Sequence, residues 1–387
     1  MLTSERTLSA PSRSKPLPVI DLFSGVGGLS LGAARAGFRI QAAVELDREA
    51  FRAHAANFPK ATHLRRSVAR LTGSDLRRLA GIVKNEAFGL LGGPPCQGFS
   101  VIGQRDASDP RNRLTVHFFR IVAEARPLFF LAENVPGILT KNNASVREAA
   151  LRLVERRYSI TGPLTLAASD YGAPTTRERV FFIGVDNERL GELDASLFNP
   201  PTGVAKVLVR DALAGLPVRI DPKQNRDGWR RVRVKGSGPF AERLWGHVPS
   251  GVGDASALDR LRTHHEVSGN LGTVHSPEVV QRYAATGPGE IDAITKSRRL
   301  IANGFCPTLR AGTGPKHGRF QAVRPLHPSQ DRVITPREAA RLQGFPDWFQ
   351  FSSTRWHSFR MIGNSVSPIL AERLLTAVRG AIAEEMR

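Results

Sequence analysis

The stretch VIDLFSGVGGLSLGAAR, residues 19–35, decides how the first part of the chain folds. Residues 19–23 are a short apolar run around one aspartate, which predicts a strand. The run stops at a glycine-rich turn, and residues 29–35 then predict a helix. A strand, a glycine turn and a helix in this order are typical of a sheet whose strands alternate with helices.

Later apolar runs repeat this pattern along the chain. They cover residues 39–44, 87–91, 128–132 and 180–185, and helical sequence such as 114–125 lies between them. Alternating strands and helices predict parallel pairing, so the fold class is α/β with a doubly wound, mostly parallel sheet. In such sheets ligands bind outside the carboxyl ends of the strands, where the polar motifs of this chain lie.

Composition divides the chain into four parts. Residues 1–17 are rich in Ser, Pro and basic residues and predict a flexible tail, and residues 18–205 carry the strand and helix pattern. Residues 206–330 hold 20 Lys and Arg against 10 Asp and Glu and predict a smaller, loop-rich, basic domain. Helical sequence returns in residues 331–387, where Thr335 and Glu338 form a predicted capping box.

The overall composition limits the function classes. The chain has 387 residues and a formal net charge of +20, which favours a polyanionic partner, nucleic acid before a membrane surface. No apolar run is long enough to span a membrane, and no secretory signal is recognised, so we expect no membrane contact. The two cysteines, Cys96 and Cys306, exclude a disulfide scaffold and a four-cysteine zinc site, and favour a cytoplasmic protein.

Two features indicate chemistry at the carboxyl edge of the predicted sheet. The glycine turn is followed about 20 residues later by Glu45, a spacing that suits a carboxylate on a ribose. A nicotinamide enzyme and a transferase with a nucleoside cofactor would both have this pattern. Cys96 follows two prolines at a strand end, where a thiol can act as a nucleophile, although a buried structural cysteine is the commoner case. Glu133 ends the neighbouring strand and can face the same cleft.

An ordered set of motifs resembles the DNA (cytosine-5-)-methyltransferases of bacteria. The motifs are DLFSGVGG (21–28), ELD (45–47), GPPCQGFS (93–100), ENV (133–135), RER (177–179), REAARLQ (337–343) and GNS (363–365). The resemblance implies a Rossmann-like, S-adenosylmethionine-dependent methyltransferase fold. It makes 18–205 the catalytic and cofactor-binding domain, 206–330 the target-recognition domain and 331–387 the segment that completes the catalytic domain.

The resemblance also implies which residues act on the substrate, a cytosine flipped out of duplex DNA. Cys96 would add to C6 of the base, Glu133 would hold or protonate N3, and Arg179 would bind O2. Arg177, from the same motif as Arg179, is the fourth catalytic candidate. Residues 97–112 match the family's mobile loop, which supplies the DNA-binding candidates Gln97, Ser100 and Ile102. The basic domain adds Arg230 and Arg231 as phosphate candidates, together with Arg310 as a base or phosphate candidate.

The S-adenosylmethionine site implied by the resemblance draws on four segments of the chain. Glu45 would take the ribose hydroxyls and Leu46 would pack on the adenine. The other implied residues are Phe23, Gly25, Gly28, Leu29, Pro95, Leu114, Asn364 and Ser365. Two positions depart from the family pattern: Ser67 replaces an aspartate that contacts the adenine amine, and Thr175 replaces a glutamine.

The sequence leaves other functions open. An RNA cytosine-5 methyltransferase and a catalytically silent DNA-binding homologue are the alternatives. The large basic insert argues for duplex DNA, and intact Cys96, Glu133 and Arg179 argue against a silent homologue. Six histidines in the basic domain lack metal-site spacing, so no metal is expected. We expect a monomer associated with the nucleoid of a prokaryote, with a cognate restriction endonuclease as a candidate genetic partner.

Overall fold

The computed structural model describes residues 16–95, 113–221, 227–233, 238–311 and 324–385. Within these ranges a seven-stranded sheet occupies the centre of the molecule. Its strands are β1 Pro18–Leu22, β2 Arg39–Val44, β3 Thr62–Leu64, β4 Gly89–Gly92, β5 Phe129–Asn134, β6 Tyr158–Ala167 and β7 Glu178–Asp186. The spatial order is β3-β2-β1-β4-β5-β7-β6.

The sheet is mostly parallel, as predicted, with an antiparallel strand near one edge. The pairs from β3 to β5 are all parallel, whereas β7 runs antiparallel to both β5 and β6. The sequence patterns did not predict β3, which has three residues, or β6, which is interrupted by glycine and proline. Neither segment has the continuous apolar run on which the other strands were recognised.

Helices cover both faces of the sheet. The helices between the strands are α1 Gly28–Arg35, α2 Arg48–Asn57, α3 Gly73–Leu79, α4 Arg113–Ala125 and α5 Ala144–Leu151. Side chains alternate along each strand, so β5 sends Phe129 and Leu131 to one apolar cluster and Phe130 and Ala132 to the other. The first cluster includes residues of α1, and the second includes residues of α4.

The order of the strands creates a crevice between β1 and β4. After β1 the chain builds β2 and β3 on one side, and then returns to place β4 on the other side. Leu22 pairs with Gly92 at the carboxyl ends of these two strands. The turns that follow them, which begin at Phe23 and Gly93, therefore leave the sheet side by side at a topological switch point, the usual ligand position in such sheets.

The basic region is built from short elements. They are α6 Val209–Leu213, β8 Arg230–Arg231, α7 Pro239–Trp245, α8 Ala255–His264, β9 Glu266–Val267 and α9 Pro277–Ala284. Val209, Leu261 and Leu300 belong to the same apolar cluster as Phe129 and Leu131 of β5. The region is thus packed onto the central core, and the domain boundaries drawn from the sequence remain predictions.

The C-terminal segment forms α10 Pro336–Gln343, α11 Arg355–Asn364 and α12 Pro368–Glu385. The predicted capping box is present, because Thr335 accepts from the Glu338 amide and Glu338 accepts from the Thr335 amide. Helix α12 packs on α1, and a Cβ at Gly32 would collide with Ala371. No helix in the described ranges is long and apolar enough to cross a membrane.

Candidate functional site

Glu133 and Arg179 form a buried ion pair at the carboxyl end of β5. The Nε atom of Arg179 lies 2.8 Å from Oε1 of Glu133, and Glu133 is only 8% exposed. The register explains the contact: Glu133 pairs with Phe181, and Arg179 lies two residues before Phe181. Side chains two residues apart share a face of the sheet, so the two charged groups meet diagonally across the strands.

The electrostatics of this pair favour a carboxyl that can hold a proton. Burial raises the pKa of Glu133 above its ordinary value, while the charges of Arg179 and Arg177 act in the opposite direction. A carboxyl in these surroundings can donate a proton to a basic ring nitrogen, and the guanidinium beside it can donate to an adjacent carbonyl oxygen.

The segment that leads to Cys96 passes directly over Glu133. A Cβ at Gly93 would lie 2.7 Å from Oε2 of Glu133, so a larger residue at this position would require the Glu133 carboxyl to shift. Pro94 is buried and lines a small cavity with Glu133, whereas Pro95 is exposed. Cys96 itself, together with Gln97, Ser100 and Ile102, lies outside the described residues.

Arg177 is buried and bonded to the backbone of two distant segments. It is 1% exposed, and its guanidinium donates to the carbonyl oxygens of Leu309 (3.0 Å) and Gly363 (2.8 Å). Burial lowers the pKa of Arg177 well below its ordinary value. These bonds join the end of the basic region to the end of α11, beside the Glu133–Arg179 pair.

The glycine turn after β1 has a strained and open backbone. Phe23 has a φ of 56°, in the left-handed region that bulky side chains rarely adopt, and Gly25 has a φ of 55°. Among the described residues, no atom lies within 4 Å of the position that a Cβ would take at Gly25. The turn thus leaves room for a ligand beside its backbone.

Glu45 links this turn to the end of β2. Its Oε2 accepts from the Gly25 amide at 2.8 Å, and its Oε1 accepts from the amides of Leu46 (2.8 Å) and Asp47 (2.7 Å). Burial raises the pKa of Glu45 despite these bonds. Bonds from the described residues use three of about four acceptor positions, so Oε2 can accept one further hydrogen bond, such as one from a hydroxyl. The Leu46 side chain beside it is 60% exposed.

The remaining predicted cofactor residues lie on or next to three helices, α1, α4 and α11. Gly28 begins α1 against the C-terminal segment, and a Cβ there would collide with the backbone of Val366. Asn364, at the end of α11, is exposed, whereas Leu29 and Ser365 are buried. Leu114 is half-buried near the start of α4.

The two departures from the family pattern are structurally distinct. Ser67 is half-buried and precedes a short 3₁₀ turn, Val68–Arg70, which its hydroxyl does not cap. Thr175 is fully buried, and its backbone forms a parallel bridge with Cys306. Thr175 therefore packs inside the protein, while Ser67 lies after β3 on the carboxyl side of the sheet.

The candidate DNA-binding arginines of the basic region are separated. Arg230 and Arg231 form β8, which pairs with β9, and Arg231 is exposed. Arg310 is exposed and lies next to α11, because a Cβ at Gly363 would be 2.6 Å from the carbonyl carbon of Arg310. Arg310 is thus held near the Glu133–Arg179 pair through the Arg177 contacts.

A set of buried polar residues was not identified from the sequence. Asp21, Ser30 and His54 are all fully buried, and hydrogen bonds join them to one another and to His63. The available signal was Asp21, a charged residue inside an otherwise apolar strand. Its partners could not be recognised, since they lie on α1, α2 and β3.

A large cavity lies elsewhere in the molecule. It has a volume of about 820 Å³ and is lined at one side by residues 37–40, which lead into the amino end of β2. Glu45 and Glu133 lie at the opposite, carboxyl edge of the sheet. The cavity is therefore separate from the site described above.

Comparisons with known proteins identify a family and similar structures. Residues 17–379 match the profile of the C-5 cytosine-specific DNA methylases. The chain is 41% identical to the Type II methyltransferase M.XorII of Xanthomonas oryzae pv. oryzae, over 95% of this chain and 85% of that protein. It is 31% identical to the Type II methyltransferase M.DdeI of Desulfomicrobium norvegicum, over 92% and 87%. A crystal structure described as a DNA modification methyltransferase encoded within an E. coli prophage is similar, with a TM-score of 0.86, 48% identity and coverage of 95% and 99%.

Proposed function

The chain belongs to the C-5 cytosine-specific DNA methylase family and is a DNA cytosine methyltransferase, and on this premise we propose that it acts through a covalent adduct between Cys96 and C6 of a flipped-out cytosine. The observation that carries the proposal is the buried Glu133–Arg179 pair, 2.8 Å apart, beneath the segment that leads to Cys96. N3 and O2 are neighbouring atoms on one edge of cytosine. Two side chains that already touch can therefore contact both atoms at once.

The residues of this chain would activate the ring in a defined order. The Cys96 thiolate forms a bond to C6, the electrons of the C5–C6 double bond move toward N3 and O2, and Glu133 supplies a proton to N3. Arg179 stabilises the charge at O2. After C5 has been alkylated, loss of its proton restores the double bond and expels the Cys96 thiolate. The base has to leave the duplex to reach this buried pair, so base flipping is part of the proposal.

S-adenosylmethionine is the proposed methyl donor, and the site residues fit it. It supplies an electrophilic methyl group on a sulfonium centre. The space beside Gly25 can admit the amino acid portion of the cofactor. Glu45 can accept a further hydrogen bond from a ribose hydroxyl. The exposed Leu46 can cover one face of the adenine. Phe23, Gly28, Leu29, Pro95, Leu114, Asn364 and Ser365 complete the proposed set.

We assign Arg177 a positioning role instead of contact with the base. Both of its acceptors are backbone carbonyls, of Leu309 and Gly363, and the side chain is buried. Through these bonds it sets the place of Arg310, which is exposed and can reach a phosphate or a base edge.

The proposed polymer substrate is duplex DNA, read mainly by residues 206–330. The exposed arginines Arg231 and Arg310, with Arg230, can contact phosphates, and residues Gln97, Ser100 and Ile102 of the loop would close over the DNA. Because two relatives are Type II methyltransferases, we propose a cognate endonuclease as a genetic partner. We propose that the enzyme acts as a monomer.

Bisulfite sequencing of host DNA that carries the expressed gene tests this function. Protected cytosines should lie in one sequence context with the wild-type gene and should be absent with Cys96→Ala. Protection without sequence context would contradict the role of residues 206–330. Protection that persists in Cys96→Ala would contradict the covalent mechanism.

A further inference from the structure

Four polar side chains form a continuous hydrogen-bonded chain beneath the glycine turn. The Ser30 hydroxyl donates to Oδ2 of Asp21 at 2.6 Å and lies 3.0 Å from Nε2 of His54. Nδ1 of His54 lies 2.9 Å from Nε2 of His63. Asp21, Ser30 and His54 are fully buried, whereas His63 on the edge strand β3 is half-buried. The hydrogen-bonded chain therefore runs from the interior toward the protein surface.

All donors in this hydrogen-bonded chain can point inward, toward Asp21. With Asp21 ionised, Ser30 donates to Asp21, His54 donates from Nε2–H to Ser30, and His63 donates from Nε2–H to Nδ1 of His54. Every contact then has one donor and one acceptor, with both imidazoles neutral.

The donors in these contacts can also point outward, toward His63, when the hydrogen-bonded chain holds one more proton. A proton that arrives at Nδ1 of His63 allows Nε2 of His63 to accept from His54, and each inner bond then reverses. The added proton ends on Asp21, which becomes neutral, and His54 changes from the Nε2–H to the Nδ1–H tautomer. No bond other than N–H and O–H bonds changes, and both imidazoles are again neutral.

This chain supports the backbone that forms the proposed cofactor site. A Cβ at Gly27 would collide with Phe58 and would lie 3.1 Å from Cδ2 of His54, so the imidazole packs against the turn. His54 and Phe58 stack at 4.4 Å between ring centroids. Ser30 lies in the first turn of α1, two residues after Gly28. The hydrogen bonds at both ring nitrogens fix the orientation of the ring on which the turn rests.

We propose that Asp21, Ser30, His54 and His63 are positioning residues of the cofactor site, and that their hydrogen-bonded chain moves one proton between His63 and Asp21 and so sets the charge beneath the glycine turn. The relay between two tautomeric states stands on the three contacts among these four residues alone. Its effect on the cofactor rests on the proposed function.

The charge on Asp21 distinguishes two forms of the cofactor. S-adenosylmethionine carries a positive sulfonium, which the product S-adenosylhomocysteine lacks. An anionic Asp21 favours the cationic form, and a neutral Asp21 does not discriminate. Burial, and to a smaller degree the nearby charge of Glu45, raise the pKa of Asp21 to about 7, so both states are populated near neutral pH. Burial and His63 lower the pKa of His54, and burial lowers that of His63, so neither is the resting site of the proton.

The relay is tested first without any ligand. Long-range ¹H–¹⁵N spectra of the full chain labelled at histidine would follow the His54 ring between about pH 6 and pH 8. We expect the Nε2–H tautomer at high pH and the Nδ1–H tautomer at low pH, with His54 neutral throughout. A single tautomer across this range, or a doubly protonated His54, would overturn the relay.

Calorimetry then tests the effect on the cofactor. The ratio of the Kd for S-adenosylhomocysteine to that for S-adenosylmethionine should rise roughly fivefold or more from pH 6 to pH 8. The amino acid groups common to both ligands cancel in this ratio. Asp21→Asn should make the ratio independent of pH. Ser30→Ala should also flatten it, because without its donor the Asp21 anion forms only at higher pH.

Ser358→Ala is the matched control. Ser358 is fully buried in a helix and donates to a single backbone carbonyl, that of Ser352, so its loss reports a structural effect alone. The control should keep the wild-type pH dependence. The proposal would be overturned if the ratio of the two Kd values does not change with pH in the wild type. It would also be overturned if this ratio still rises from pH 6 to pH 8 in Asp21→Asn. If neither ligand binds while the tautomer change persists, the proposed cofactor site fails and the relay stands.

Discussion

Oε1 of Glu133 and Nε of Arg179 lie 2.8 Å apart, although the two residues come from strands of opposite direction. The contact exists because β7 enters the sheet antiparallel to β5 and brings Arg179 to the face that Glu133 occupies. A parallel strand in the same place would have carried its first residues to the opposite edge of the sheet. The single reversal of direction thus assembles the proposed base-binding pair.

Removing the charge of Glu133 should impair catalysis more than folding. Glu133→Gln should lower turnover by roughly 10²-fold or more, because an amide cannot supply a proton to N3. The amide oxygen can still accept from Arg179, so thermal stability should change little. Turnover is measured by methyl transfer to DNA, and stability by thermal unfolding.

Glu338→Gln is the control for this variant. Glu338 is buried and paired with Arg332 at 2.7 Å, away from the site. It should cost stability and leave methyl transfer by the folded fraction near the wild-type rate. If Glu133→Gln is chiefly unfolded while Glu338→Gln is not, Glu133 has a structural role.

The two cysteines should differ sharply in reactivity and in function. Cys96→Ala should abolish methylation and retain cofactor binding, and only proteins with Cys96 should form an adduct with DNA that contains 5-fluorocytosine. Cys306→Ala is the matched control, since Cys306 is buried and burial raises the pKa of its thiol well above the ordinary range. Gel shift under denaturing conditions reports the adduct. An adduct in Cys96→Ala would remove Cys96 from the nucleophile role.

Introducing a carboxylate at position 67 should strengthen cofactor binding. Ser67→Asp should tighten S-adenosylmethionine binding by about 1 kcal/mol if the carboxylate accepts from the adenine amine. Ser67→Ala, which removes the hydroxyl, should bind close to wild type. Calorimetry measures both values. Unchanged or weaker binding in Ser67→Asp would mean that the carboxylate caps the following 3₁₀ turn or that the adenine is held elsewhere.

The free energy of unfolding should depend on pH because Asp21 is a buried carboxyl with a raised pKa. The pKa of Asp21 is about 7 in the folded protein and near 3.8 when the chain unfolds, so the folded state binds more protons between these values. Stability from this group is therefore present below pH 4 and is lost as pH rises toward 7. As pH rises from 5 to 8, the free energy of unfolding of Asp21→Asn should therefore increase relative to that of wild type by on the order of 3 kcal/mol.

Urea unfolding of both proteins at several pH values measures this difference. A constant difference between wild type and Asp21→Asn across the range would show that Asp21 keeps an ordinary pKa. That result would also weaken the proton relay.

Exchange of the basic region should transfer sequence specificity. Replacing residues 206–330 by the matching segment of a relative with another target should change the methylated sequence and keep Cys96-dependent chemistry. The buried contacts of Val209, Leu261 and Leu300 with the central core must be preserved in the hybrid, or it will lose stability. Bisulfite sequencing identifies the target. A folded, active hybrid that keeps the original target would contradict the assignment.

Local sequence patterns predicted much of the fold. The run 39–44 coincides with β2, residues 114–125 fall within α4, and the capping box at Thr335 begins α10. These features depend on the period of apolar residues and on backbone chemistry within a few residues, which the sequence displays directly. The order of the polar motifs likewise indicated the carboxyl edge of the sheet, because parallel strands end on one side.

The contacts that build the site were decided only by the tertiary structure. The buried bonds of Arg177 to Leu309 and Gly363, and the chain from Asp21 to His63, join residues that no local period relates. Such contacts depend on strand order, on the direction of β7 and on the approach of Ser30 in α1 to His54 in α2. Because long-range register sets which side chains meet, the sequence determined what kind of site to expect, and the folded arrangement determined which groups share it.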